Sequence, residues 1–170
     1  HLLVRVRAPG QNRGEFIIGG LAKAGSDKAL GIEGAGEVVQ VGSEVTRFRV
    51  GDRVMGRFPG ALAEQVLADQ ALAMAVPANL SWEEAGSLPT TYMVAHDMLV
   101  LQGGLKAGGW LLVTGVSSGV GVAALQIARA LGARVIGTSG SREELDRLKA
   151  QGLGVGICRR AAHFPAQVMG

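Results

Sequence analysis

Ser117, Ser118, Gly119, Val120 and Gly121 are the residues whose types and spacing point most directly to chemistry. They form a tight turn after a short apolar run, Leu111–Val113, and open a stretch where Val120, Ala124, Ile127, Ala128 and Leu131 recur at helical spacing. Gly132 then offers a left-handed stop. Strand, small-residue turn and helix together aim backbone N–H groups and a helix N-terminus at a phosphate. The strict three-glycine dinucleotide pattern is not met, because Val116 and Ser118 occupy two of its glycine positions and only Gly121 remains. The context is stronger than the pattern. Residues 133–138 read as the next parallel strand, which completes a strand–helix–strand unit. The apolar run before the turn is expected to be a strand buried on both faces.

The end of that second strand is where a ribose would be read. Thr138, Ser139, Ser141 and Arg142 stand there. No carboxylate at the strand end would repel a 2′-phosphate, and Arg142 is a planar, permanently charged donor that can pair with one. NADPH is therefore expected over NADH. Ser141, with Glu144 three residues on, begins a capped helix that is apolar at Leu145 and Leu148 and ends near Gly152. His96 and Asp97 resemble an acid/base pair, but neighbours on a helix point about 100° apart, so structural roles are expected for both.

These residues need elements to position them. The chain has 170 residues, 48% of them apolar, with 27 glycines and a formal net charge of +3, the profile of an α/β or β-rich protein with many turns. Lysines and arginines are scattered singly and no basic run alternates with aromatics, so nucleic acid is not expected as a partner. The single cysteine, Cys158, excludes an internal disulfide and a multi-cysteine zinc site. No apolar run approaches the roughly 18 residues that span a bilayer, and no signal peptide is visible; a cytoplasmic protein with no membrane partner is expected. The chain opens at His1 inside a strand, so its natural start is expected upstream.

Leu2–Ala8 alternates apolar and basic residues, a half-exposed strand ended by Pro9-Gly10. Residues 31–42 hold too many glycines for a helix, and their β-branched tail reads as a strand entered through a tight bend. Val50–Gly56, Ala61–Leu67 and Ala71–Val76 are further short strands, the last closed by Pro77. Such spacing suggests a small barrel. Ser81-Trp82-Glu83-Glu84 is a capping box opening a helix interrupted at Pro89; a second helix is expected from Thr90 to Leu101. Val155–Cys158 reads as a third parallel strand, and residues 161–169 as the start of another helix.

Gly31-Ile32-Glu33-Gly34-Ala35-Gly36-Glu37-Val38, the run Val50–Gly56 and the turn Gly115–Gly121 occur in the order and spacing of the medium-chain dehydrogenase/reductase superfamily. More narrowly, the chain resembles its zinc-independent quinone oxidoreductase and enoyl reductase branch, over essentially its whole length. The resemblance implies an α/β fold: a GroES-like β-barrel over residues 1–90, incomplete at its N-terminus, and a linking helix over 91–106. A Rossmann domain (doubly wound parallel sheet), truncated after its first half, would occupy 107–170. Zinc members carry a histidine where Ile32 stands and a cysteine near Pro9–Asn12. Isoleucine offers no lone pair, so no metal is expected, and Glu33 is expected to be a structural acceptor in the bend.

Asn12 matches an asparagine that this branch places beside nicotinamide and substrate, where its amide can donate to a carbonyl oxygen as charge develops. It also reads as a turn former after Pro-Gly. Phe16 and Ala22 stand where some members have tyrosines, Val94 where an ungapped count places a threonine, and Glu144 where relatives often have a lysine. The resemblance implies NADPH-dependent hydride transfer to a small-molecule quinone or an enoyl-type activated alkene, and a homodimer for the full-length form. A non-catalytic nucleotide-binding relative, or an inert fragment of a longer reductase, is the alternative. Thr114–Gly121 also satisfies the Thr-Gly-x-x-x-Gly-x-Gly pattern of short-chain dehydrogenases, but a barrel precedes it and the only tyrosine, Tyr92, lies upstream.

Overall fold

The computed structural model describes residues 1–15 and 29–160; Phe16, Ala22 and the helix expected from residue 161 lie outside them. The chain divides into two compact units, His1–Thr90 and Thr91–Gly170.

In the first unit, β1 (Leu2–Pro9), β2 (Gly34–Val41), β3 (Arg53–Gly56), β4 (Gln65–Ala68) and β5 (Ala73–Ala75) form one antiparallel sheet in the order β4-β1-β2-β3-β5. Alternation in β1 buries Leu2 and Val4 against Val38, Val54 and Phe58, the apolar centre of the unit. Gly36 is needed where β2 presses on β1, since a Cβ there would lie 2.2 Å from the Arg5 carbonyl oxygen. The strand expected from Ala61 begins only at Gln65. Ala61 donates its N–H to Phe58 O and Ala63 to Gly60 O, so this segment closes turns before it can pair.

Helix α1 (Trp82–Ser87) opens with the expected box: Ser81 Oγ accepts from Glu84 N–H and Glu84 Oε2 accepts from Ser81 N–H. Its buried Gly86 lies against β1, where a Cβ would stand 2.5 Å from Ala8 O. Ser81→Ala removes one end of the box, and thermal unfolding should show the unit about 1 kcal/mol less stable.

Helix α2 (Pro89–His96) begins with Pro89 at a position that needs no N–H donor. It runs on through Asp97–Gln102 with the wider π spacing, Gly103 N–H reaching Met98 O. In the second unit β6 (Trp110–Thr114), β7 (Arg134–Ser139) and β8 (Val155–Cys158) are parallel in that order, with α3 (Gly119–Ala130) and α4 (Arg142–Lys149) as crossovers. After α3, Gly132 takes φ +73° while its N–H bonds Arg129 O and Ala133 N–H bonds Ala128 O. That paired pattern is a Schellman stop.

One expectation needs correction. Strand β6 is not buried on both faces: Leu111 and Val113 pack inward, whereas Trp110 and Leu112 are 53% and 48% exposed. The Trp110 ring is covered by the Arg134 guanidinium, 4.4 Å from its centroid. Helix α3 packs on two sides. Leu125 and Ala128 pack with Val116 and Val135, and Ala123 and Ala124 with Ala95, while Val120 is exposed. A helix packed on two sides has no single buried stripe.

Candidate nucleotide and active site

The turn between β6 and α3 is fixed from behind by Thr138. Gly115, at φ +72°, donates its N–H to Thr138 Oγ1 (3.3 Å), and Val116 N–H donates to Thr138 O (2.9 Å). Ser118 is the N-cap of α3, its Oγ accepting from Gly121 N–H at 3.1 Å. Gly119 and Val120, the first two helical residues, have no intrahelical acceptor for their N–H groups. Ser117, Ser118, Gly119 and Val120 are all exposed. Gly121 is buried: a Cβ there would lie 2.5 Å from Gly115 O and 2.7 Å from Val116 Cα. The residues present fit a pyrophosphate, with free N–H groups at a helix N-terminus and a backbone brought close by glycine. An apolar cavity of about 330 Å³ adjoins the turn, lined by Ser118, Val120 and Gly121 with Met98, Leu99 and Leu112.

The end of β7 departs from its sequence reading. Thr138 and Ser139 are 1% and 2% exposed, so both hydroxyls serve the turn and its neighbours rather than solvent. Ser139 Oγ donates to Glu144 Oε2 at 2.6 Å and therefore accepts from Ser117 Oγ (3.1 Å) and Ser141 N–H (3.3 Å). The Ser141–Glu144 cap is half formed. Ser141 Oγ accepts from Glu144 N–H, but the Glu144 carboxylate leans to Ser139 instead of the Ser141 N–H. A carboxylate thus stands at the strand end, where the sequence showed none. The Ser139 hydroxyl, itself polarised by the Ser117 hydroxyl, holds the Glu144 carboxyl below its ordinary range, partial desolvation opposing and Arg147 assisting. Arg142 is exposed and makes no hydrogen bond or ion pair among the described residues. Arg160 stands nearby, its Nε 3.7 Å from where a Gly140 Cβ would be.

In the first unit, Asn12 Nδ2 donates to Glu33 Oε1 and Thr90 N–H to Glu33 Oε2, each at 2.6 Å. Glu33 is 2% exposed, and its own carbonyl accepts from Gly10 N–H at 3.0 Å. Only a glycine fits at position 10, where a Cβ would meet Glu33 Cγ at 2.4 Å. A carboxylate facing the amide must face its NH₂ end, so the orientation of Asn12 is fixed by chemistry. One N–H of Asn12 is committed to Glu33 and the other points about 120° away. Thr90 Oγ1 and Glu15 Oε1 are buried without hydrogen-bond partners among the described residues.

His96 is exposed, and Asp97 accepts from Gln102 Nε2, so the two do not form a relay. Val94 is 41% exposed. The Tyr92 hydroxyl donates to Gln126 Oε1, and burial pushes its pKa up. No group of three or more His, Cys, Asp or Glu among the described residues is placed to hold a metal ion. No helix among them is long and apolar enough to cross a membrane. Sequence reasoning noted Glu144 as the Ser141 cap partner and as a position where relatives often have a lysine, but did not place its carboxylate at the strand end, and it passed over the guanidinium of Arg160. Parallel register was the available signal: Ser139 pairs with Cys158, which brings residues 159 and 160 beside the strand end.

Residues 1–102 match the family model for the alcohol dehydrogenase GroES-like domain. With that match and the folds below, the chain belongs to the medium-chain dehydrogenase/reductase superfamily. It is 37% identical over 169 residues to the spectinabilin polyketide synthase system protein NorB of Streptomyces orinoci, covering 98% of this chain and 8% of that protein. Among solved structures, a quinone oxidoreductase of Pseudomonas syringae pv. Tomato superposes with TM-score 0.87 at 35% identity, over 99% of this chain and 53% of that one. The CurK enoyl reductase gives TM-score 0.87 at 26% identity, over 99% and 54%. A mycobacterial protein solved in complex with NADPH gives 0.82 at 31% identity, over 92% and 50%. The chain thus spans about half the length of these solved relatives.

Proposed function

We propose that this chain is part of a zinc-independent, NADPH-dependent reductase acting on an enoyl-type activated alkene or a quinone. The observation that carries the reading is the exposed Ser117–Val120 turn with Gly121 pressed onto Gly115 and Val116. Likeness to a CurK enoyl reductase, a quinone oxidoreductase and a segment of a polyketide synthase supports the acceptor class. A bound nicotinamide dinucleotide supplies a hydride.

The chain's own residues bind, orient and polarise. The N–H groups of Ser117, Gly119 and Val120 would hold the pyrophosphate, and the helix N-terminus adds partial positive charge. Arg142 would pair with the 2′-phosphate. Asn12, with one amide proton held by Glu33, presents the other to a substrate oxygen on which negative charge builds. Ile32 gives a metal no ligand, so oxygen stabilisation falls to hydrogen-bond donors rather than a Lewis acid.

The test is titration of the full-length protein with NADPH, followed by nicotinamide fluorescence, and then NADPH oxidation with an α,β-unsaturated thioester or a quinone. Binding with turnover of either acceptor supports the reading; binding with turnover of neither rejects it. Arg142→Ala is expected to weaken NADPH roughly tenfold and leave NADH little changed. Equal losses for both would reject the 2′-phosphate role.

A further inference from the structure

We propose that Glu144 is a specificity-determining residue of the nucleotide site: its tethered carboxylate accepts the adenosine ribose 2′-hydroxyl and offsets the 2′-phosphate preference set up by Arg142. The proposal rests on the nucleotide reading of the turn.

Three observations carry it. The first is placement. Glu144 is the third residue of α4, where a carboxylate ordinarily turns back to the N-cap N–H. Here that N–H, from Ser141, goes to Ser139 Oγ, and the same Ser139 hydroxyl donates to Glu144 Oε2 at 2.6 Å. Ser139 is the last residue of β7, and it accepts from Ser117 of the phosphate-facing turn. The carboxylate therefore hangs at the end of the second parallel strand on a chain of hydroxyls that begins in the turn. That strand end is where an acidic side chain reads the ribose in dinucleotide folds.

The second is capacity. A carboxylate offers about four acceptor positions, and the serine contacts leave room for a ribose hydroxyl. The Ser139 hydroxyl, which accepts from Ser117, also favours its ionised form. An ionised carboxylate accepts from a hydroxyl and repels a phosphate.

The third is the company it keeps. Arg142, two residues earlier, is exposed and unpaired among the described residues, and Arg160 lies across Gly140. Glu143 is engaged with Arg147 at 2.5 Å, so that pair is internally balanced. A 2′-phosphate would meet two guanidinium groups and one carboxylate; a 2′-hydroxyl would meet an acceptor. Opposed contributions of this kind bring the two affinities together, to within about tenfold.

The experiment measures dissociation constants of NADPH and NADH by nicotinamide fluorescence, without turnover, in the full-length protein and in Glu144→Gln, Glu144→Lys and Arg142→Ala. The wild type should bind both dinucleotides within about tenfold of each other. Glu144→Lys should tighten NADPH tenfold or more and weaken NADH several-fold, with Glu144→Gln between. If Glu144 merely braced the turn, its loss would move both affinities together, so the ratio is the deciding readout. Glu144 is exposed, and thermal unfolding of each variant checks that the fold is kept. An unchanged ratio in both Glu144 variants, with Arg142→Ala still weakening NADPH, overturns this assignment and leaves the nucleotide reading standing. A wild type that binds neither dinucleotide overturns both.

Discussion

Gly121→Val is expected to abolish dinucleotide binding. A Cβ at this position would stand within 2.7 Å of three backbone atoms of Gly115 and Val116, none of which is a flexible side-chain end. Relief must come from moving α3 away from the turn or from opening the turn itself. Either displaces the N–H groups of Gly119 and Val120 from the positions a phosphate would use, and the added methyls deepen the clash. Overpacking of this kind costs roughly 1–3 kcal/mol of stability, so a folded protein should remain. The check is a paired measurement: no NADPH-induced change in nicotinamide fluorescence, alongside a retained cooperative melt. Wild-type affinity in the variant would show that the close approach does not serve binding.

Glu33→Ala should strongly destabilise the first unit. It leaves the Asn12 amide and the Thr90 N–H facing a cavity after each has donated to the carboxylate at 2.6 Å. Hydrogen bonds to a charged group are worth about 1.5–3 kcal/mol each, and orphaned buried donors add to the penalty, so a loss near 3 kcal/mol is expected. For a unit of this size that lowers the thermal midpoint by roughly 10–20 °C. Glu33→Gln keeps one acceptor oxygen and sets an NH₂ against one of the two donors, which should cost about 1–2 kcal/mol. A calorimetric scan separates the two variants. Equal, small losses would mean that the bend holds itself without the carboxylate.

The local devices were legible in the sequence because their partners lie within a few residues. The Ser81–Glu84 box, the Gly132 stop and the strand–turn–helix run from Trp110 to Ala130 need only short-range pattern. The GroES-like and Rossmann-type sheets followed from ordered motifs. What escaped was decided by competition between partners. A Ser141–Glu144 cap is sound chemistry, but Ser139 offers the carboxylate a second donor and takes the Ser141 N–H, and nothing in the spacing ranks the two. Glu33 reads as a structural acceptor, yet that its second oxygen meets Thr90, 57 residues on, is a property of the folded chain. The exposed face of β6 depends on which neighbours pack there. The π spacing of Asp97–Gln102 carries no marker in those residue types.

Thr138 holds Gly115 through its hydroxyl and Val116 through its carbonyl. A loop that orders only when its ligand arrives gives up about 1–2 kcal/mol of backbone freedom per residue at that moment. Here that freedom has been lost during folding, by stitching the turn to the neighbouring strand. A dinucleotide reaching the turn would meet donors already aimed, so its encounter would wait on diffusion rather than on rearrangement. Differences in affinity among ligands would then appear in how slowly each departs.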